Sequence, residues 1–257
     1  EAAIWLNFNL VLYSYQYRLY MDAGIFKAYD IRGIYPSQID EAGIALIGRA
    51  YAALLRGENP GASLKVAVAS DMRLSGPALK EALIRGLLEG GLDVDDIGLA
   101  STPTFYFSAA FFGYDGGLQV SASHNPKEWN GVKMVRRGGV PVSKDTGITA
   151  MRDMALSGDF GEPVPARGVL GNRSGIMDAL IAEQSKGFDL SGIKPFKIVI
   201  DAANGMGSAD MQALFQKLPC KMVPMNFELD GTFPAHEADP MKEANTRSLS
   251  ERVCSEG

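Results

Sequence analysis

The sequence predicts an α/β fold built as two consecutive domains. Short apolar runs alternate along the chain with turns rich in Gly, Asn and Asp and with stretches of helical periodicity, a pattern typical of α/β proteins. The composition becomes dense in Gly and Pro over residues 157–175, which favours a linker. The alternation resumes beyond it, so we expect a second α/β domain that begins near Ser174.

The first unit is predicted to alternate between helices and strands. Ser37, with Asp40 three residues later, is typical of a helix start. The apolar residues that follow share one helix face, and they are Ile44, Ile47, Tyr51 and Leu54. The later elements are a strand over 64–70, a helix with Leu79, Leu83 and Leu87 along one stripe, a strand over 92–100 and a helix over 102–112.

The stretch GLQVSAS, residues 117–123, alternates strictly between apolar and polar side chains. Successive side chains of a strand point to opposite faces, so one face would carry the apolar set and the other the polar set. We therefore predict a strand that delivers Ser123 at its carboxyl end. In open α/β sheets, this edge is where ligands bind.

The second unit shows a βαβ pattern. In chain order it is predicted to contain a helix over 176–186, a strand over 196–201, a turn over 202–208, a helix through Met211, Leu214 and Leu218, and a strand over 221–225. The turn holds the sequence Asn-Gly-Met-Gly-Ser, which lacks the third glycine of a dinucleotide-binding fingerprint. It is more typical of a tight turn from strand to helix.

Composition excludes several classes of function. The formal net charge is -5 and no basic run occurs, so no nucleic-acid partner is expected. Cys220 and Cys254 are too few for a disulfide framework or a zinc site, which favours a cytoplasmic location. No Gly-Lys dipeptide occurs, so a Walker phosphate loop is excluded.

Residues 1–20 differ in character from the rest. They are rich in aromatic and apolar residues, but polar residues interrupt any run long enough to span a membrane, and no membrane partner is expected. Met21 opens the sequence MDAGIFKAYDIRG, which resembles a natural start. We predict that residues 1–20 form an extra segment outside the functional fold; the alternatives are an additional helix packed on the body and a weak membrane anchor.

The stretch QVSASHNPKEWNGVKMV, residues 119–135, places Ser123 directly beside His124. A serine hydrolase is disfavoured because adjacent residues of an extended chain point to opposite sides, and because the Gly-x-Ser-x-Gly elbow is absent. Phosphate chemistry fits better, since a loop at a sheet edge offers free backbone N–H groups. The side chains that could add positive charge are His124, Lys133, Arg32 and Arg73.

Five motifs carry a resemblance to a known family. They occur in the order FKAYDIRG (26–33), SDMRLSG (70–76), SASHNP (121–126) with NGVK (130–133), DAANGMG (201–207) and DGTFPAHEADP (230–240). Together they resemble the α-D-phosphohexomutase superfamily, in its phosphomannomutase/phosphoglucomutase branch, over about residues 21–257. The Ser-His-Asn-Pro motif is highly specific. Ser121 departs mildly from the Thr found in many members.

The resemblance implies two three-layer α/β domains with mixed, mostly parallel sheets, the second incomplete. Domain 1 would cover residues 21–160 and carry the phosphoserine loop. Domain 2 would cover residues 171–257 and stop before the family's metal loop, an Asp-Gly-Asp-x-Asp-Arg run that these residues lack. The sugar-recognition and phosphate-binding loops of a third and a fourth domain are absent as well, so this chain alone is expected to be inactive.

The resemblance also implies a reaction. Ser123, phosphorylated at rest, would donate its phosphoryl group to a hexose monophosphate, and the hexose 1,6-bisphosphate so formed would turn over and return the other phosphate. Mg²⁺ would bind Ser123 through its phosphate, and hexose 1,6-bisphosphate would act as activator. The transfer would connect C6 and C1 of the sugar.

Other site residues are carried over from the same motifs. Lys133 would be the general acid/base, Arg32 would lie near the phosphoserine, and His124 would contact the transferring group. Asn125, Asn130 and Tyr29 would bind substrate or shape the loop, while His236 is interpreted as structural.

Two alternatives stay open. One is a phosphoglucosamine mutase, although KAYDIRG favours the phosphomannomutase branch. The other is a non-catalytic module that binds sugar phosphates. We also expect the truncated second domain to favour self-association.

Overall fold

The computed structural model describes residues 21–257, so the prediction for residues 1–20 lies outside the described part of the chain. The first sheet has seven strands: β1 (Ile31–Ile34), β2 (Lys65–Ser70), β3 (Asp93–Leu99), β4 (Gly116–Val120), β5 (Trp129–Arg136), β6 (Val140–Pro141) and β7 (Leu170–Asn172). Their order is β1-β5-β4-β2-β3-β7, and β6 pairs with β5.

Only β5 opposes the direction of the other strands in this sheet. It is antiparallel to β1, β4 and β6, whereas β2 is parallel to both β3 and β4, and β3 is parallel to β7. The mixed, mostly parallel sheet predicted from the resemblance is therefore confirmed. The loop at the β4–β5 reversal carries Ser123, the predicted phosphoryl carrier.

Helices cover both faces of the first sheet. The helices of this unit are α1 (Glu41–Glu58), α2 (Gly76–Glu89), α3 (Thr102–Phe111) and α4 (Thr149–Ser157). One core cluster packs α1, α2 and α4 on one face, through residues such as Ile47, Leu83 and Met151. A second cluster packs α3 on the opposite face around Phe105. The result is a three-layer domain.

The second unit contains two parallel strands, β8 (Lys197–Asp201) and β9 (Lys221–Met225). Its helices are α5 (Ile176–Gln184), α6 (Gly207–Phe215), which connects the two strands, and α7 (Glu243–Glu256). This is the predicted βαβ pattern. Within residues 21–257, no helix combines the length and the apolar character that crossing a membrane requires.

Several predicted boundaries differ from the structure. The cap of α1 is Asp40, whose side chain accepts a hydrogen bond from the Gly43 N–H; Ser37 precedes it in a turn. Helix α6 ends before Leu218. Gln119 and Ser121 are buried although they were predicted on a polar face, because β4 is a central strand with helices on both sides.

The predicted linker contains β7, the edge strand that pairs with β3. Leu170–Asn172 therefore adds to the first sheet, although residues 171 and 172 were predicted in the second domain. The Gly content that indicated a linker has a steric reason here. A Cβ atom at Gly171 would lie 2.6 Å from Asp95 Oδ1, so a larger residue here would require the Asp95 side chain to move.

Candidate functional site

A cleft of about 480 Å³ lies between the carboxyl edge of the first sheet and the second unit. The first unit contributes Ser123 and His124 to its lining, and the second contributes Asp201, Met206 and His236. The amino ends of two helices also face it, through Thr102 of α3 and Gly207 of α6. The site therefore has one wall from each unit.

Ser123 lies beyond the end of its strand rather than on it. Strand β4 ends at Val120, and Ser123 has a φ of 57°, in the left-handed region. The Ser123 N–H donates to Ser121 Oγ at 3.0 Å, and this bond holds the turn. The serine side chain is exposed and lines the cleft. We call residues 121–128 the serine loop.

His124 contacts Ser123, so the argument that its ring points away was wrong. Ser123 Oγ lies 3.2 Å from His124 Nδ1. An extended backbone would separate the two side chains, but the left-handed φ of Ser123 turns them towards each other. Within residues 21–257, no carboxylate contacts the other ring nitrogen of His124, so the orienting third member of a serine-hydrolase triad is missing from that part of the chain.

The guanidinium of Arg73 binds the serine loop and is not free to bind a phosphate. Its guanidinium donates four hydrogen bonds of 2.7–2.9 Å to backbone carbonyls, those of Ser123, Asn125, Pro126 and Trp129. Its Nε also contacts Asp71 Oδ2 at 3.3 Å. The side chain is only 1% exposed, and this burial lowers the pKa of Arg73. Burial likewise raises the pKa of Asp71, although Arg73 and Ser121 oppose that shift.

Arg32 and Lys133 meet through a carboxylate. Arg32 forms an ion pair with Asp30, and Lys133 Nζ lies 3.9 Å from the same carboxylate. Burial lowers the pKa of Lys133, and the positive charge of Arg32 lowers it further, against the opposing effect of Asp30. A lysine with this environment exchanges protons more readily near neutral pH.

This cluster connects to the serine loop through one bond. Arg32 donates to Asn125 Oδ1 at 2.6 Å, two residues from Ser123. The Nε of Arg32 is buried and has no hydrogen-bond partner among the described residues. Neither Arg32 nor Lys133 belongs to the part of the cleft wall that the described residues form. The structure thus ties them to the loop without placing them beside the Ser123 hydroxyl.

Asn130 and Tyr29 have contrasting positions. Asn130 is fully buried on β5, where its Nδ2 donates to Ser75 Oγ at 2.7 Å and its Oδ1 accepts from the Gly131 N–H at 2.8 Å. It therefore anchors the start of β5 to the start of α2, which fits a loop-shaping role. Tyr29 is 73% exposed and lies outside the cleft lining of the described residues.

On the opposite wall, His236 is held between two acceptors. Its Nε2 lies 3.0 Å from Asp201 Oδ2 and its Nδ1 lies 2.9 Å from the Glu237 carbonyl. Neither partner has a proton to donate, so both ring nitrogens are fully bonded only in the imidazolium form. Burial lowers the pKa of His236, but the bonds to Glu237 and Asp201 and the charge of Asp201 outweigh it and raise the pKa. His236 fits the structural interpretation, although it lines the cleft.

The fold and this cleft define an α/β protein with a serine-bearing loop at a sheet edge. Residues 23–160 match the family "Phosphoglucomutase/phosphomannomutase, alpha/beta/alpha domain I", and residues 177–257 match its domain II. The chain belongs to the phosphoglucomutase/phosphomannomutase family.

Individual relatives agree with this assignment. The chain is 36% identical over 221 residues to a phosphomannomutase of Vibrio cholerae, which covers 84% of this chain and 47% of the relative. It is 37% identical over 234 residues to the phosphohexose mutases of Xanthomonas campestris pv. campestris (strain B100), and the match covers 90% of this chain and 50% of the relative. The chain thus spans about half the length of these relatives.

A solved structure shows the same fold. The crystal structure of a phosphoglucomutase/phosphomannomutase family protein from Burkholderia thailandensis aligns with a TM-score of 0.81 and 33% identity. The alignment covers 91% of this chain and 50% of that one.

Proposed function

We propose that this chain is the part of a phosphohexomutase that carries the phosphoryl-transfer serine. In this proposal Ser123 cycles between a phosphoserine and a free hydroxyl while a hexose phosphate is converted between its 6-phosphate and 1-phosphate isomers through a hexose 1,6-bisphosphate. The observation that supports it most is the exposed Ser123 hydroxyl at the mouth of a cleft between two units of a mutase family.

The transfer step assigns a task to each nearby group. The bond between phosphorus and Ser123 Oγ breaks, and a bond forms from phosphorus to a sugar hydroxyl oxygen. The leaving Ser123 Oγ, which is exposed, takes up a proton from solvent and becomes a hydroxyl. The proton of that hydroxyl passes to Lys133, whose lowered pKa makes the neutral amine more accessible. His124, 3.2 Å from Ser123 Oγ, would donate to the phosphoryl oxygens, and Arg32 would balance their charge.

The magnesium ion implied by the family is not accommodated by the described residues alone. Within residues 21–257, no group of three or more His, Cys, Asp or Glu side chains is arranged to hold a metal. A phosphate on Ser123 would supply one ligand, and the remaining ligands would have to come from elsewhere. No step of this proposal therefore depends on the metal.

The cytoplasmic location stays a prediction.

A fusion protein tests the role of Ser123. The chain would be joined, where the match ends, to the remaining half of the Xanthomonas campestris relative that it matches over half its length. We expect the folded fusion to convert mannose 1-phosphate or glucose 1-phosphate, and the 257-residue chain alone to show no turnover. The Ser123→Ala fusion should lose turnover, whereas the control Ser255→Ala, at an exposed serine of α7, should keep it.

The results separate the proposal from its alternatives. Full turnover by a folded Ser123→Ala fusion would refute the serine mechanism. Calorimetry of the chain with glucose 1,6-bisphosphate tests the binding-module alternative, which predicts binding by the chain alone together with an inactive fusion. A phosphoglucosamine mutase would be indicated by turnover of glucosamine 1-phosphate in the natural protein that contains this sequence.

A further inference from the structure

Four backbone carbonyls of one short segment converge on a single guanidinium. The carbonyls of Ser123, Asn125, Pro126 and Trp129 all accept from Arg73, at 2.9, 2.7, 2.7 and 2.9 Å respectively. A planar guanidinium can satisfy several acceptors at once because its five N–H donors are fixed in direction. This arrangement fixes the path of the serine loop from inside.

The carbonyls that bind Arg73 point into the domain, and this orientation determines which side chains of the serine loop are exposed. The Ser123 carbonyl accepts from Arg73 while the residue has a φ of 57°, which a non-glycine residue adopts only when its surroundings compensate. In this conformation the Ser123 side chain is exposed and meets His124. The orientation of the hydroxyl is thus linked to the bond from a buried arginine 50 residues away.

The second unit covers the same arginine. The Phe233 ring lies over the guanidinium, with its centroid 5.2 Å from Arg73 Cζ. Gly231 packs so tightly that a Cβ there would lie 2.7 Å from the Leu74 nitrogen and 2.8 Å from the Met72 carbonyl oxygen. Phe233 is buried, so it shields the guanidinium from water, and hydrogen bonds made in such an environment are stronger.

We propose that Arg73 is a positioning residue that sets the conformation of the serine loop. Phe233 of the second unit supports this role because it shields the hydrogen bonds of Arg73 from water. The inference relies on the proposed function only for the reactivity of Ser123; the positioning is a property of the loop itself. It extends the site to two residues that touch no reacting atom. The position of the second unit thereby affects the serine of the first.

Hydrogen exchange of the 257-residue chain tests the inference without any sugar phosphate. Three amides of the segment have hydrogen bonds to compare: those of Ser123, Asn125 and Trp129. We expect Arg73→Ala to accelerate their exchange at least about tenfold, which corresponds to one lost hydrogen bond of ordinary strength. Amides of β2 and α1 should keep their parent rates.

Two further variants make the readout specific. Added guanidinium ion should restore part of the protection in Arg73→Ala, and Arg73→Lys should stay unprotected because one ammonium cannot replace the planar fork. The matched control is Arg56→Lys, since Arg56 also holds two carbonyls, those of Gly90 and Glu162, on the far side of the domain. This control should leave the serine loop unchanged.

Each result decides for or against the inference. Parent exchange rates at the serine loop in Arg73→Lys would overturn it. Uniform acceleration across β2, α1 and the loop would also overturn it, because that pattern indicates general destabilisation. If Arg73→Ala does not fold, Phe233→Leu provides the test, with faster exchange expected at the serine loop. Loss of turnover in the parent fusion would refute the proposed function and leave these exchange results intact.

Discussion

Replacing Gly131 by alanine tests how closely β1 and β5 must approach each other. Gly131 pairs with Arg32 in the antiparallel ladder, in a register that runs from Ile31↔Val132 to Ile34↔Trp129. A Cβ at Gly131 would lie 2.1 Å from the Ile31 carbonyl oxygen and 3.1 Å from the Arg32 Cα. Both neighbours are backbone atoms, so the clash cannot be relieved by a side-chain rotation.

The size of the effect follows from this overlap. A carbon–oxygen contact settles at about 3.3 Å, so the strands must separate by roughly 1 Å near this pair. Hydrogen bonds of ordinary length do not survive such a shift, and two or three of them at about 1 kcal/mol each would weaken or break. We therefore expect Gly131→Ala to lower the free energy of unfolding by about 2–4 kcal/mol, within the range of overpacked cores.

Urea unfolding followed by far-UV circular dichroism and by hydrogen exchange of β1 measures this change. A loss of this size should lower the urea midpoint by roughly 1 M or more. The matched control is Gly57→Ala in α1, where no atom lies within 4 Å of the added Cβ. There we expect a gain of about 0.5–1 kcal/mol, because alanine favours the helix over glycine.

The two glycine variants make the same chemical change with opposite expected signs. An unchanged midpoint for Gly131→Ala would show that β1 and β5 tolerate separation, and the proposed close approach would be wrong. Selective loss of protection in β1 is also expected, because β5 is its one strand partner in the described sheet, and its other backbone pairing is a single bridge between Ile31 and Phe26. Because β1 carries Arg32 and β5 carries Lys133, this variant also separates the two cations of the site.

Two further predictions concern the second unit. The pKa of His236 is raised in the folded protein, so its bonds to Asp201 and Glu237 stabilise the fold fully at pH values below 6.5, the ordinary pKa of the unfolded chain. This contribution is lost as pH rises through the pKa of the folded state. At about pH 5.5, the free energy of unfolding from urea titrations should be roughly 1.5–3 kcal/mol higher for the parent than for His236→Ala. This difference should shrink by about pH 9, and a difference that stays constant with pH would contradict the prediction. We also expect the chain to self-associate. Its described second sheet has two strands, and Phe188 and Phe196 are 72% and 55% exposed. A monomer at all concentrations in light scattering would contradict this prediction.

Local patterns were sufficient to predict most of the fold. The apolar stripes of α1 and α2 and the apolar strand β2 carry their periodicity within a few residues, so their place in the core can be read directly from the sequence. Strand β7 has no such signal. Its pairing depends on β3, a strand over 70 residues earlier, and on a glycine that was taken as a linker residue. Contacts between distant segments leave no periodic trace.

The same distinction separates the predicted and missed parts of the site. Motifs made of side chains predict Ser123 as the phosphoryl carrier, and positive charge made Arg73 a candidate for phosphate binding. In the serine loop the partners of Arg73 are backbone carbonyls, which every residue possesses, so no residue type there indicates that an arginine binds. A buried arginine at 1% exposure is unusual enough to require partners, but burial is known only from the structure.

The contact between Ser123 and His124 shows why the backbone must be known before side-chain chemistry is assigned. Alternation along a strand is valid to Val120, where β4 ends, and it placed His124 away from the serine only because the strand was extended three residues too far. Once Ser123 is left-handed, proximity no longer distinguishes a hydrolase from a phosphoryl carrier. The distinction then depends on the partners of the histidine and the lysine. Among residues 21–257, His124 has no carboxylate to orient it as a base, whereas Lys133 has burial and a cation to lower its pKa. Under the proposed function the base would therefore be Lys133 on β5, and the proton that it accepts would come from a sugar hydroxyl and not from Ser123.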